Sequence, residues 1–115
     1  MRKRPVKKAA RPVSKSRLAE LIEQATVDCY NDSEVKTGFL TMIEDNLALP
    51  FTTTVLGAEV EVVAVDLQDD ESVVAVCRRG KARQRIPIKD LPLPSPPPAG
   101  SEWIEAYRAW LKGGR

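Results

Sequence analysis

The feature that most constrains this chain is a change of hydrophobic period at Leu49-Pro50. Before it, apolar residues recur every three or four positions, the period of a helix face. After it, from Phe51, they alternate in the β-branched, period-two manner of strands. The residue before a proline is pushed out of the helical region, so the helical part must end there. A chain that is helical first and β afterwards folds as α+β rather than as alternating βαβ units.

The helical part covers residues 14–48. Ser14 or Ser16 caps a first helix running to about Cys29, with Leu18, Leu21, Ile22, Ala25 and Cys29 on one face. Tyr30-Asn31-Asp32-Ser33 breaks it. A second helix runs from about Ser33 to Leu47, and its stripe is Val35, Phe39, Met42, Ile43 and Leu47. Asn31 and Glu34 have the spacing of a capping box.

The β part covers residues 51–92. Phe51–Val55 is a strand, Leu56-Gly57 a turn, and Ala58–Leu67 a long strand with Glu59 and Glu61 opposite Val60, Val62 and Ala64. Gln68–Glu71 is a polar turn, Val73–Cys77 an apolar strand, Gly80 a tight turn, and Arg83–Ile88 a returning strand. Four or five short antiparallel strands in about 40 residues predict a small SH3-like barrel. The proline-rich run Leu91–Pro98 is an extended strap. Ser101 caps a last helix over residues 101–112, with Trp103, Ile104, Tyr107, Trp110 and Leu111 along one face. That aromatic stripe reads as packing against the barrel.

Charge divides the chain of 115 residues into two parts. Residues 1–17 carry eight of the 18 basic side chains and no acidic one, leaving 10 basic and 16 acidic residues, a net of −6, in 18–115. Residues 1–13 are expected to be a disordered basic tail, a candidate contact for nucleic acid or an anionic surface. Residues 14–115 are expected to be a single domain. No apolar run approaches the roughly 20 residues that span a bilayer. With no secretory signal pattern either, the expected location is the cytoplasm. Cys29 and Cys77 lie among apolar neighbours and read as free thiols. Histidine is absent. With no phosphate-cradling glycine loop and no base beside a serine, the chain does not read as an enzyme.

Three stretches resemble the calcium-binding CcbP family. They are Gly38-Phe-Leu-Thr-Met-Ile-Glu-Asp-Asn-Leu-Ala-Leu-Pro-Phe51; Val73-Val-Ala-Val-Cys-Arg-Arg-Gly80 with Gln84-Arg-Ile-Pro-Ile-Lys-Asp-Leu-Pro-Leu-Pro94; and Pro96-Pro-Pro-Ala-Gly-Ser-Glu-Trp-Ile-Glu-Ala-Tyr-Arg-Ala-Trp110. The resemblance implies a helical part joined to an SH3-like barrel, with Ca2+ bound without an EF-hand. No 12-residue window here has the alternating acids, central glycine and terminal glutamate of an EF-hand loop.

Two acidic clusters could supply oxygen ligands. The first is Asp28, Asn31, Asp32 and Glu34 between the helices, with Glu44 and Asp45 further along. Asp28, closing a helix, meets the negative end of the macrodipole, which a cation would offset; Asn31, Asp32 and Ser33 are equally natural caps. The second is Asp66, Asp69, Asp70 and Glu71 around a turn, where like charges repel unless solvated or bound to a cation. Five cations, Arg78, Arg79, Lys81, Arg83 and Arg85, sit on one hairpin. They suit either nucleic-acid phosphates or the domain's own carboxylates. A small-barrel nucleic-acid module is therefore the alternative to a calcium buffer or sensor.

Overall fold

A computed structural model describes residues 13–113. The basic tail expected at residues 1–13 lies outside them except for Val13. Helix α1 spans Lys15–Thr26 and α2 spans Asp32–Asn46. Strands β1 (Phe51–Val55), β2 (Ala58–Leu67), β3 (Val73–Arg79) and β4 (Ala82–Pro87) follow. A 3₁₀ turn at Ile88–Asp90, the strap, and α3 (Glu102–Leu111) complete the chain.

Local chemistry sets the helix ends. Ser14 accepts from the Arg17 N–H and caps α1, as expected. The helix stops three residues short of Cys29: the Thr26 hydroxyl bonds back to the Ile22 carbonyl, and Asp28 takes a left-handed φ of 63°. Asn31 Oδ1 accepts from Glu34 N–H at 2.9 Å. Glu34 Oε1 in turn accepts from Tyr30 N–H at 2.7 Å, a capping box reaching one residue further back than usual. At α3, Ser101 is itself helical in backbone and makes no side-chain cap bond, so the cap expected there is not formed.

The sheet is an antiparallel meander in the order β1-β2-β3-β4. The expected alternation of β2 fails at Val63. A bulge between Val62 and Ala64 inserts one residue, so Val62 and Val65, not Val62 and Ala64, are the buried pair.

The expected closed SH3-like barrel is not formed, because β1 and β4 are not paired and the sheet stays open. The strap lies beside β1, where a closing strand would add, but Pro92 and Pro94 have no N–H to give a ladder. One side-chain bond stands in for it: the Thr53 hydroxyl donates to the Pro92 carbonyl at 2.7 Å.

The core lies between the sheet and the three helices. Phe39, Ile43, Leu21, Val62, Val73, Ile88, Leu91, Ile104 and Tyr107 are buried. The rings of Phe39 and Tyr107 meet edge to face at 5.4 Å, and Trp110 closes the cluster, so the aromatic stripe packs inward, but on Phe39 of α2 rather than on the expected barrel. The Val73 N–H donates to the buried Tyr107 hydroxyl. Arg108 donates to the Ile88 and Leu91 carbonyls and ties α3 to the start of the strap. Arg17 joins α1 to Glu102 of α3, and this pairing raises its pKa further above the ordinary value. Gly38 lets α1 and α2 approach closely, since a methyl there would overlap the Ala25 carbonyl oxygen. No described helix is long and apolar enough to cross a membrane.

Candidate functional site

The first turn of α2 and the β2–β3 turn, far apart in sequence, touch at one hydrogen bond. The Ser33 hydroxyl, in the first turn of α2, donates to Glu71 Oε2 at 2.7 Å. This bond joins the α1–α2 loop to the β2–β3 turn across 38 residues of sequence. Asp32 and Glu34 lie in the same first helical turn as Ser33. There the exposed N–H groups favour negative charge.

The β2–β3 turn is built tightly. Gln68 N–H donates to the Ser72 carbonyl and Glu71 N–H to that of Gln68, at 2.9 and 2.8 Å. Glu71 has a left-handed φ of 67°. One oxygen of Asp70 accepts both the hydroxyl and the N–H of Ser72, at 2.7 and 3.0 Å. Those bonds hold the Asp70 carboxyl below the usual carboxylate range; nearby Lys36 of α2 adds a smaller push the same way.

The remaining candidates are distributed as follows. Asn31 and Glu34 are engaged in capping. Asp28, Asp32 and Asp69 are exposed and make no side-chain hydrogen bond or ion pair among the described residues. Asp66 faces Arg85 at 3.0 Å and also accepts from Leu67 N–H. Glu44 and Asp45 are exposed on α2, about 18 Å along the axis from its first turn at 1.5 Å per residue. Among the described residues, no three acidic or thiol side chains stand close enough together to hold a metal ion as they are.

The sequence reading missed three residues. Ser72, two places after Asp70, carries the Asx-turn pattern and was open to discovery. In the sequence Ser33 reads only as a cap, and its bond to Glu71 has no local signal. Lys36 sits on a helix face whose neighbour comes from a distant turn. In the basic hairpin, Arg78 is paired with Glu61 and Arg85 with Asp66, so two of its five cations meet the domain's own carboxylates.

The exposed donors of the α1–α2 loop and the β2–β3 turn are mostly carboxylate and hydroxyl oxygens, with Cys29 the one thiol in the first loop; oxygen donors of this kind suit a hard divalent cation. A calcium-binding family model matches residues 19–111 of the chain. The chain belongs to that family, the CcbP calcium-binding proteins, and its ion is Ca2+. No curated protein and no solved structure matches the chain.

Proposed function

We propose that the protein is a non-catalytic calcium buffer or sensor of the cytoplasm. It takes Ca2+, without an EF-hand, between the α1–α2 loop and the β2–β3 turn. The observation that carries this reading is the Ser33–Glu71 bond, which brings both acidic segments to one place. Ca2+ takes six to eight oxygens at about 2.3–2.6 Å in a tolerant geometry. Asp32, Asp69, Asp70 and Glu71 would be drawn in as the carboxylate ligands, and backbone carbonyls and water would complete the shell. Because they are not gathered beforehand, the ion itself draws them together. Ordering exposed loops costs conformational entropy, which points to moderate affinity. It also makes calcium binding a change of loop structure, as a sensor needs. Asp28, Asn31 and Glu34 shape the first loop; Glu44, Asp45 and Asp66 take no part.

Thermal unfolding with and without calcium tests this. Binding to the folded state alone adds about 2.7 kcal/mol when free calcium is a hundredfold above Kd. For a domain of this size that raises Tm by roughly 10 °C. Magnesium, which needs a stricter octahedron and gives up water reluctantly, should do less. The Asp32→Asn/Glu71→Gln double variant should lose most of the shift. Equal shifts with calcium and with sodium chloride of matched ionic strength would refute binding. A full calcium shift in the double variant would refute this location.

A further inference from the structure

The helices leave part of the sheet's core face uncovered. The register puts Val55 opposite Ala58 and Thr53 opposite Val60, and Ile86 lies on the same face through its partner Ala75. These half-buried aliphatic residues floor an open groove of about 330 Å³ at the β1–β2 turn end of the sheet. Leu56, on its lip, is fully exposed and held at a left-handed φ of 50°. A leucine in that conformation is strained relative to the glycine or asparagine such a hairpin turn prefers.

The other wall of the groove is β4. It pairs only with β3, and its outer edge makes no backbone hydrogen bond among the described residues. Arg79 lies on the groove face, Arg83 stands beside Arg78 on the opposite face of β4, and Lys81 stands in the adjoining turn. None of the three has an ion-pair partner among the described residues. An open edge and unmatched positive charge therefore coincide on β4, with the Ile86 side of the aliphatic groove next to them.

We propose that this groove docks an extended acidic segment of a partner protein. The segment adds along β4 as a further strand, so that its backbone pairs with the free edge. Its aliphatic side chains, on the groove face, pack beside Ile86 at the edge of the floor; its alternate carboxylates lie on the opposite face beside Arg83, with Arg79 and Lys81 at the strand end. A peptide fits better than single-stranded nucleic acid, because bases bind by stacking on aromatic rings and no ring lines this groove. The groove lies at the opposite end of β3 from the calcium-site turn, about 20 Å away at 3.3 Å per residue. The proposal does not depend on where calcium binds.

The full chain is titrated into a fluorescein-labelled peptide of alternating glutamate and valine, read by anisotropy. Parallel titrations use a lysine–valine peptide and labelled oligothymidylate. Binding should be confined to the acidic peptide and should move the amide resonances of Ala82–Ile86. The Arg79→Glu/Arg83→Glu variant, altered only at exposed positions and checked for folding by circular dichroism, should bind about tenfold or more weakly, since charge reversal turns complementarity into repulsion. Four results would each overturn the proposal. These are no binding of the acidic peptide, unchanged binding by the charge-reversed variant, equal binding of the lysine peptide, and tighter binding of oligothymidylate. Unchanged binding by the variant would assign the interaction to the basic residues 1–17 instead.

Discussion

Replacing Gly38 by alanine sets two effects of opposite sign against each other. Alanine is the better helix former by about 1 kcal/mol in a helix interior, so propensity alone predicts a more stable α2. The structure predicts the reverse. The new methyl would fall inside the 3.0 Å limit for a real Cβ, against the backbone carbonyl of Ala25, with the Cys29 sulfur 3.7 Å away. That carbonyl is main chain in the last turn of α1, so either the two helices must separate or the end of α1 must shift. Overpacking costs about 1–3 kcal/mol, and the upper end applies where the obstacle is main chain. Subtracting the propensity gain leaves a loss of about 2 kcal/mol, which lowers Tm by about 8 °C. Circular dichroism melts and urea midpoints of both proteins measure it. An unchanged or raised Tm in Gly38→Ala would show that the helices have slack at this crossing and that the steric argument is wrong.

Three other substitutions probe separate parts of the fold. Ser72→Ala removes the two bonds that depress the Asp70 pKa only in part, since the N–H remains; carboxyl NMR titration should show that pKa moving back up toward the ordinary value. A depressed carboxylate pKa contributes stability above the unfolded-state pKa and loses it as pH falls through the folded-state pKa. The stability gap between wild type and Ser72→Ala should therefore be widest at neutral pH and close in acid, as urea midpoints across pH would record. Thr53→Val keeps the shape of the side chain but loses the bond to Pro92, costing about 1 kcal/mol, and proteolysis of the strap should quicken. Tyr107→Phe leaves the buried Val73 N–H without its partner, which costs about 1–3 kcal/mol in chemical denaturation.

Where a boundary was set by local chemistry, the sequence was a good guide. The Leu56-Gly57 turn and both ends of β2 lie where alternation and turn residues put them. The family resemblance also held, with its framework residues inside the matched span. Periodicity misled at Cys29, which sits at helical spacing from Ala25 although the backbone has already left the helix at Val27. The bulge at Val63 is marked by no glycine or proline, so alternation gave no warning that the buried parity would change. The barrel failed to close because the segment beside β1 is proline-bearing, a fact visible in the sequence whose consequence depended on where the strap lies. The meeting of Ser33 with Glu71 was beyond reach, because it follows from how α2 rests on the sheet rather than from anything near either residue.

The way α3 locks the core bears on how the domain is made on a ribosome. The Val73 N–H, the Ile88 and Leu91 carbonyls and the Phe39 ring all find partners on α3, the last described element to be synthesised. While it is still inside the exit tunnel, the emerged sheet and the first two helices expose the apolar seam that Trp103, Ile104, Ala106 and Tyr107 cover in the folded domain. Assembly is therefore held back until synthesis of this helix is complete. The β2–β3 turn, although translated earlier, gains the Val73–Tyr107 bond beside it only when α3 docks. Nascent chains arrested before Trp103 emerges should accordingly remain open to chaperones, and those arrested after α3 clears the tunnel should not.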